Sequence, residues 1–242
     1  CHFKGNEVAS GGGGVYLSSA NDRVAFASCL FLENIGGIAG GGMYVNNAND
    51  IMSLVACVFD KNFAFSNGGG LYIHSVSYFI NIYFCNFTSN TAQNYGGGLY
   101  INSDNDDLEI NSCTFEENTA HLHGGGVYVG SNNWDLQLMH LTFAGNIAHV
   151  DGGALAAVFD NFRMRVSDSL FYNNSAGTAG NTHSLFILPF PPPLSLSGVG
   201  VHSSVCSINI IVSLFCFMML IYLGCCVLKM GRRSYSLCFT EQ

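Results

Sequence analysis

Hydrophobic and polar residues alternate along most of the chain in short runs. One run places apolar residues at Leu71 and Ile73, and the next places them at Ile80, Ile82 and Phe84. A period of two positions predicts β-strands with one buried face, whereas an amphipathic helix would repeat its apolar positions every three to four residues. The repeating part of the chain shows no sustained helical period, so the pattern predicts an all-β region built from short strands.

The same pattern recurs every 28 residues without insertions. Phenylalanine fills one position of the unit seven times, and asparagine follows it three residues later each time. These residues are Phe3, Phe31, Phe59, Phe87, Phe115, Phe143 and Phe171, with Asn6, Asn34, Asn62, Asn90, Asn118, Asn146 and Asn174. A period between about 20 and 50 residues is typical of a solenoid, in which each unit buries its apolar face against its neighbours.

Each unit is interpreted as three short strands. A glycine-led strand such as 96–101 comes first, an apolar strand such as 108–110 follows a polar turn, and a Cys-x-Phe strand such as 113–115 ends at the Asn turn. The alternation slips by one residue between the second and third strands, which requires a bend there. Units stacked in register at a spacing of about 4.8 Å predict a parallel β-helix of roughly six to seven coils with the Phe column inside.

Glycine and cysteine fill two further columns of the repeat. Glycine pairs begin at Gly12, Gly40, Gly68, Gly96, Gly124 and Gly152, and cysteine stands at Cys1, Cys29, Cys57, Cys85 and Cys113 before Leu141 and Ser169 replace it. The glycines predict a positive φ at a corner or a close approach of the backbone to the Phe stack. They do not predict a phosphate site, because no Gly-Lys-Ser/Thr and no helix follows them. The cysteines lack zinc-ligand spacing and are predicted to be buried free thiols.

Two pairs of motifs resemble a known repeat family. FEEN (115–118) with GGGVYV (124–129), and FAGN (143–146) with GGAL (152–155), resemble the polymorphic outer-membrane protein repeat, whose hallmarks are FxxN and GGA[ILV]. The resemblance covers residues 1 to 180 and implies a right-handed, pectin-lyase-like β-helix displayed at a cell surface, often in adhesion. The C-terminal export domain of bacterial members is replaced here by an apolar helix candidate, which fits the similar repeats in surface proteins of single-celled eukaryotes better.

Charge is concentrated in the repeat region. The chain has a formal net charge of −8, and residues 1 to 180 contain fifteen of its 16 acidic residues and five of its 8 basic residues. The repeats are therefore acidic, which disfavours a role in binding nucleic acid because phosphate contacts need clustered Lys and Arg.

The C-terminal quarter of the chain has a different composition. No charged residue occurs between Asp168 and Lys229, and residues 181–204 contain all 4 prolines, which predicts a linker after the repeats of 1–180. Residues 205–228 are uncharged and long enough to cross a hydrocarbon core of about 30 Å as a transmembrane helix. The basic residues directly after it predict that the tail, 229–242, is cytoplasmic.

These segments predict a single-pass protein of the plasma membrane or cell surface with extracellular repeats. Its expected partners are the lipid bilayer and cell-surface glycans or proteins. Two N-glycosylation triplets, Asn86-Phe87-Thr88 and Asn173-Asn174-Ser175, are compatible with that placement, although Asn86 would stand close to the neighbouring coil. Because the chain begins inside a repeat without Met, we expect it to be a fragment whose upstream part supplies an export signal and a cap.

The polar turns contain the candidate catalytic and metal-binding residues. Asp104, Asp106 and Asp107 form an acidic turn, and Arg163 and Arg165 lie two coils away. A polysaccharide lyase would need carboxylates for a cation and a basic residue on one face, but a solvated turn explains the aspartates better. Asparagines recur in this turn, which indicates a residue repeated for its conformation. The turn residues of this column are Asn21, Asn49, Asn105, Asn133 and Asn161.

Three histidines lie beside successive glycine corners. His121 and His149 share one column, and His123 is next to them. Two histidines are fewer ligands than a zinc site usually has. The sequence therefore assigns no catalytic residue, no metal and no cofactor.

Two classes of function remain open. The first is a non-enzymatic, membrane-anchored surface protein whose β-helix acts in adhesion, in recognition or as a stalk. The second is a membrane-bound, polysaccharide-active β-helix whose catalytic coils lie upstream of residue 1.

Overall fold

The computed structural model of the chain describes residues 1–158 and 160–177 in full. Beyond them it describes the backbone of six strands, Leu185–Ile187, Ser195–Ser197, Gly200–His202, Ile208–Ile210, Cys226–Met230 and Arg233–Leu237. Within these described residues, no helix is both long enough and apolar enough to cross a membrane. The predicted transmembrane helix at 205–228 falls outside them, apart from strand backbone at its two ends, and stays a prediction.

Each 28-residue unit forms one coil of a parallel β-helix, and each coil contributes one strand to each of four sheets. The first sheet carries the Phe column, and its strands are His2–Lys4, Leu30–Leu32, Val58–Asp60, Asn86–Thr88, Thr114–Glu116, Thr142–Ala144, Leu170–Tyr172 and Gly200–His202. The second sheet follows the Asn turn, and its strands are Glu7–Val8, Ile35–Gly36, Phe63–Ala64, Thr91–Ala92, Thr119–Ala120, Ile147–Ala148 and Ser175–Ala176.

The third and fourth sheets complete the coil. The third sheet follows the glycines, and its strands are Val15–Leu17, Met43–Val45, Leu71–Ile73, Leu99–Ile101, Val127–Val129, Leu155–Ala157, Leu185–Ile187 and Ile208–Ile210. The fourth sheet consists of Ala25–Ala27, Met52–Val55, Tyr78–Tyr83, Asp106–Asn111, Gln137–Met139, Arg165–Ser167 and Ser195–Ser197. The tail strands Cys226–Met230 and Arg233–Leu237 pair with each other in antiparallel orientation.

The parallel β-helix and its 28-residue register are confirmed, because Phe87 pairs with Phe59 and with Phe115. The prediction of three strands per coil was wrong, since each coil has four. The missed strand is the one in the second sheet, such as Thr91–Ala92. It has only two residues, too few to show an alternation in the sequence, and it is recognisable only by its pairing with the coils above and below.

The inside of the coils is filled by columns of identical side chains. The seven phenylalanine rings stack with centroids 4.5–5.1 Å apart. Cys57, Cys85 and Cys113 lie beside them, at most 1% exposed, and Leu141 occupies the same column at 1% exposure. From Cys29 onward the column is therefore a buried apolar position, as predicted. The predicted burial was wrong for Cys1, which is exposed, and all five cysteines of the column are free thiols in the structure.

Asparagine side chains join the coils at two corners. At the first corner, Asn118 donates from Nδ2 to Oδ1 of Asn146 at 2.9 Å and to the carbonyl oxygen of Phe87 at 2.9 Å. At the second corner, Asn133 donates from Nδ2 to Oδ1 of Asn161 at 2.9 Å. The asparagines of the second column were interpreted as turn residues repeated for their conformation. Those after Asn21 are buried and also hydrogen-bond the coils together.

The corners of the coil use the left-handed backbone region. The predicted bend between the fourth and first sheets has a φ of 50–55° at Ser28, Ala56, Phe84, Ser112, His140 and Asp168. At the glycine corner, both predicted reasons for glycine apply. Gly96 has a φ of 65°, and a Cβ on Gly98 would lie 3.1 Å from Cδ1 of Phe115.

Strand pairing continues beyond the regular repeats. Inside the segment predicted as a linker, 181–204, three described strands extend the third, fourth and first sheets, with Leu155 opposite Leu185, Arg165 opposite Ser195 and Leu170 opposite Gly200. Each of these pairs is separated by 30 residues, not 28, which means that the spacing changes after the coil containing Phe171. The other residues of the predicted linker lie outside the described part of the chain.

Candidate functional site

The fourth sheet turns more side chains outward than the other sheets, because two of its strands are longer. Its longest strands, Tyr78–Tyr83 and Asp106–Asn111, each have six residues. In the first of them, Ile80 and Ile82 point inward and are fully buried, so the alternation turns Asn81 and Tyr83 outward. With Tyr78 and Phe79, four side chains of this strand lie outside the core, whereas a three-residue strand of the third sheet turns one side chain outward.

We call the outward side chains of this sheet and its two borders, in three successive coils, the acidic–aromatic face. Its members are Tyr78, Phe79, Asn81, Tyr83, Phe84, Asp106, Asp107, Glu109, Trp134, Asp135 and Gln137. An open groove runs over it, lined by Phe79, Asn81, Asp107, Glu109, Asp135 and Gln137 together with Leu108.

Large aromatic side chains stand at the borders of this face. Phe79 is 53% exposed, Phe84 63% and Trp134 45%. Phe79 and Phe84 occupy left-handed corner positions, with φ of 56° and 55°, which project their rings away from the coil. Trp134 stacks on Phe162 of the next coil with ring centroids 4.1 Å apart. Clustered exposed aromatics mark interaction surfaces, because aromatic side chains are enriched where proteins bind partners.

Three aspartates converge next to the aromatic rings. Oxygen atoms of Asp106, Asp107 and Asp135 lie within 4.8 Å of one another. Oδ1 of Asp106 also accepts a hydrogen bond from the backbone N–H of Asp107 at 2.9 Å. Carboxylate oxygens are the ligands that Ca²⁺ prefers, so these are the described residues with the donor set for a hard cation.

Sequence reasoning found part of this cluster. It named Asp104, Asp106 and Asp107, but Asp104 is not one of the three converging carboxylates, and Asp135 was missed. Asp135 lies 28 residues after Asp107, so the shared column was a signal that could have identified it.

The two arginines named from the sequence differ in their positions. Arg163 lies one coil beyond Asp135 and forms an ion pair with its carboxylate. That ion pair offsets part of the negative charge at one end of the cluster. Arg165 is an outward residue of the fourth sheet, directly opposite Gln137.

Glu109 is held in place at the centre of the face. Its Oε2 accepts a hydrogen bond from the hydroxyl of Tyr83 at 2.8 Å, and its Oε1 accepts one from Nδ2 of Asn111 at 3.2 Å. Desolvation, followed by the hydrogen bond to Glu109, raises the pKa of Tyr83 to about 12. Tyr83 therefore stays protonated at neutral pH, and its hydroxyl holds the Glu109 side chain in place by donating this hydrogen bond.

Apart from Arg163, which pairs with Asp135 at one end, few basic residues lie near the acidic charge on this side. Between Arg23 and Arg163 the chain contains one Lys or Arg, which is Lys61. Lys61 lies on the corner after the first sheet, beside Asp60, and not on the fourth sheet. The middle coils of the acidic–aromatic face therefore combine four carboxylates with exposed rings and contain no Lys or Arg.

The histidines form a separate feature on the second-sheet side. The rings of His121 and His149 stack with centroids 4.9 Å apart, which confirms that the two share one column. His123 stacks on Tyr95 with ring centroids 5.7 Å apart, and its Nδ1 lies 3.4 Å from a carboxylate oxygen of Asp151. Within residues 1–158 and 160–177, no histidine belongs to a group of three potential metal ligands.

The tyrosine column of the third sheet is mostly covered, although it points outward. Tyr72, Tyr100 and Tyr128 are at most 8% exposed, because each ring packs on the next. Burial raises the pKa of each of these tyrosines. These rings stabilise the stack and leave the acidic–aromatic face as the side with exposed aromatics and acids together.

Comparison with known proteins identifies the fold family. A family model described as a right-handed beta helix region matches residues 1–187. No curated protein and no solved structure matches the chain.

Proposed function

We propose, from the premise that the chain belongs to the right-handed β-helix family, that it is a non-enzymatic cell-surface recognition protein. In this proposal the β-helix is a rigid support that presents the acidic–aromatic face to a positively charged protein partner. Family membership alone does not decide between an enzyme and a binding protein, because one fold supports many functions. The composition of the acidic–aromatic face is the observation on which the proposal rests.

Positive charge on the partner follows from the chemistry of the face. Exposed rings attract cations through their π faces, and an adjacent carboxylate adds a Coulombic attraction. Phe79 and Asp107 stand in one column of successive coils and both line the groove, so one guanidinium group of a partner would contact a ring and a carboxylate there. An acidic polysaccharide would be repelled by the same carboxylates.

Membrane anchoring is part of this proposal. The segment 205–228 has no charged residue and is followed by Lys229, Arg232 and Arg233. A stretch of that length with a basic flank is typical of a transmembrane helix whose flank is cytoplasmic. Anchoring would hold the acidic–aromatic face outside the cell, and the FxxN and GGA[ILV] motifs support a repeat of the polymorphic outer-membrane protein type.

Binding of a short oligoarginine peptide to the full-length chain in detergent micelles tests the role of the aromatic rings. Phe79→Asn should weaken binding about tenfold at most, since a cation–π contact contributes about 0.5–1 kcal/mol or somewhat more. Phe65→Asn is the matched control, because Phe65 is 59% exposed but lies after the second sheet. Equal affinities for the two variants would contradict the proposal.

The acidic residues require a separate comparison. Asp107→Asn with Glu109→Gln removes two negative charges from the acidic–aromatic face, and Asp60→Asn with Glu116→Gln removes two from the first sheet. The first pair should weaken peptide binding more than the second and should flatten its dependence on salt. The same loss from both pairs would show that the peptide responds only to net charge.

A polysaccharide-active β-helix is the second candidate. The convergence of Asp106, Asp107 and Asp135, with Arg163 paired to Asp135 from the next coil, is the observation that favours it. Release of unsaturated sugars from polygalacturonate by the full-length chain with Ca²⁺, abolished by Asp107→Asn, would support this candidate over the first.

A further inference from the structure

The two N-glycosylation triplets occupy exposed positions on one side of the β-helix. Asn86 and Thr88 both point outward from a strand of the first sheet, while Phe87 between them is fully buried. Asn173 is exposed on the corner that follows the first sheet three coils later, with a φ of 55°. Both acceptor asparagines therefore face solvent on the first-sheet side of the molecule.

The described neighbours of both asparagines in adjacent coils are small. Asn86 lies between Val58 and Thr114, two short side chains. The residue one coil before Asn173 is Gly145, which has no side chain. The expected crowding of Asn86 by the neighbouring coil is therefore not found.

The other asparagines of the first-sheet corner are unsuitable as acceptors. Asn90, Asn118 and Asn146 are fully buried and donate from Nδ2 to a neighbouring asparagine and to a phenylalanine carbonyl. Asn174 is 8% exposed, and its Nδ2 donates to the carbonyl oxygen of Phe143 at 2.9 Å. None of these buried asparagines begins an Asn-x-Ser/Thr triplet, and within residues 173–175 the acceptor is the exposed Asn173.

We propose that Asn86 and Asn173 carry N-linked glycans, an inference that rests on the proposed placement of the repeats outside the cell. The donor is an oligosaccharide linked to a polyprenyl diphosphate. A bond forms between Nδ2 and the first sugar carbon as the bond from that carbon to the diphosphate oxygen breaks. Nδ2 loses one proton, and the polyprenyl diphosphate leaves with the bonding electron pair.

Glycans at these positions would cover one side of the stack and leave another open. The two acceptors are separated by roughly 14 Å along the axis, three coils at about 4.8 Å each. The acidic–aromatic face lies on the fourth sheet, and none of its residues begins an Asn-x-Ser/Thr triplet. The sugars would therefore shield the first-sheet side up to the border at Phe84 and leave the opposite border of that face, at Phe79, accessible to a partner.

Mass spectrometry of the full-length chain from its host membranes tests the proposal. Peptide N-glycosidase in ¹⁸O-water should convert Asn86 and Asn173 to labelled aspartate and leave Asn102 unlabelled. Asn86→Gln should lower the apparent mass on a gel by that of one glycan. Thr88→Ala should have the same effect, and Thr88→Ser should retain the glycan. Asn86 is exposed and Thr88 is half-buried with its side chain outside the core, so the β-helix should still fold in all three variants.

A protease accessibility measurement separates failure of this inference from failure of the proposed placement. If protease digests the repeats on intact cells while both asparagines are unlabelled, the glycan proposal is overturned and the surface placement stands. If the repeats are protected and unlabelled, both are overturned. Labelling of a single acceptor would restrict the site to that residue and overturn the proposal for the other.

Discussion

Single residues in the core of this β-helix act as members of columns. Phe87 stacks between Phe59 and Phe115 with centroids 4.7 Å and 4.8 Å away. Oδ1 of Asn118 accepts hydrogen bonds from the backbone N–H and from Nδ2 of Asn90, and Nδ2 of Asn118 donates to Oδ1 of Asn146. A change at one core position therefore affects three coils, whereas a half-exposed turn residue affects its own coil.

Replacing Phe87 by Ala tests the inside of the stack. The side chain is fully buried, so its loss should lower the free energy of unfolding by about 3–5 kcal/mol through lost burial and a cavity. Asn102→Ala is the control, because this half-exposed side chain accepts one hydrogen bond, from the hydroxyl of Tyr100 at 3.0 Å, and its removal should cost about 1 kcal/mol or less. Urea unfolding followed by the fluorescence of Trp134 measures both, and equal losses would contradict the register.

The cysteine column places thiols near one another without pairing them. The backbone N–H of Cys85 donates to Sγ of Cys113 at 3.3 Å, and Sγ of Cys85 donates to the carbonyl oxygen of Tyr83 at 3.3 Å. Side-chain hydrogen bonding along the column and burial raise the pKa of Cys57 and of Cys85. In-register side chains point the same way, and a disulfide torsion near 90° would distort the coil.

Alkylation of the native protein should therefore distinguish the cysteines by burial. Because the nucleophile is the thiolate, iodoacetamide at pH 8 should label the exposed Cys1 and spare Cys29, Cys57, Cys85 and Cys113 until the protein is denatured. Mass spectrometry of non-reduced peptides reads the result. Recovery of Cys57 linked to Cys29 or Cys85 in most molecules would show that the column is a set of disulfides, which an oxidising compartment favours.

At the scale of the strand and corner, the sequence was informative where a column repeats and uninformative where an element is short. The bend at Phe84 was predicted from a slip in alternation, and its positive φ confirms it. The two-residue strand Thr91–Ala92 was missed, because two positions cannot display a period. The burial of Asn133 was missed as well, since asparagine is common in exposed turns and only the fold reveals its partner Asn161.

The glycine corner offers a test of close packing between coils. A Cβ on Gly97 would lie 2.4 Å from the carbonyl oxygen of Gly125 and 2.5 Å from that of Thr119, so Gly97→Ala should lower the free energy of unfolding by roughly 3 kcal/mol or more. Gly145→Ala is the matched control. Its φ is 62°, but its Cβ would approach nothing closer than Cγ of Glu117 at 3.7 Å. Glu117 itself adopts a φ of 54° in the same column, so the control should cost about 1–2 kcal/mol at most.

Urea unfolding compares the two glycine variants directly. A loss at Gly145 as large as that at Gly97 would show that the positive φ, and not the contact between coils, decides where glycine is required. A small loss at Gly97 would mean that adjacent coils can separate enough to admit a methyl group, in conflict with the hydrogen bond from the N–H of Gly97 to the carbonyl oxygen of Gly124 at 3.1 Å.

At the scale of the whole molecule, the columns that keep one residue type determine the fold, and the columns that vary from coil to coil form the candidate site. The column of Phe79 contains Ile51, Phe79, Asp107 and Asp135 in successive coils, so no single position identifies a functional residue. The acidic–aromatic face arises only when several such variable columns are placed side by side on the fourth sheet. Sequence reasoning predicted the sheet from the constant spacing but could not assemble the face, because it did not place the outward positions of neighbouring columns together.

Membrane orientation is the remaining prediction at this scale. The −10 charge of residues 1–180, from fifteen acidic and five basic residues, and the basic flank after 205–228 place opposite charges on the two sides of the apolar segment. Because positively charged flanks stay in the cytoplasm, residues 1–204 should be outside and residues 229–242 inside. Protease added to intact cells should remove the repeats and leave the tail with the membrane, and permeabilised cells should lose the tail as well.

The charged flank can be separated from the apolar segment by mutation. Lys229→Glu with Arg232→Glu and Arg233→Glu keeps 205–228 unchanged, so the chain should still resist extraction by alkaline carbonate but should lose part of its fixed orientation. Release of the unmodified chain by carbonate would mean that 205–228 does not span the bilayer. Protection of the repeats on intact cells would mean that the orientation is reversed, and then the acidic–aromatic face could meet only partners inside the cell.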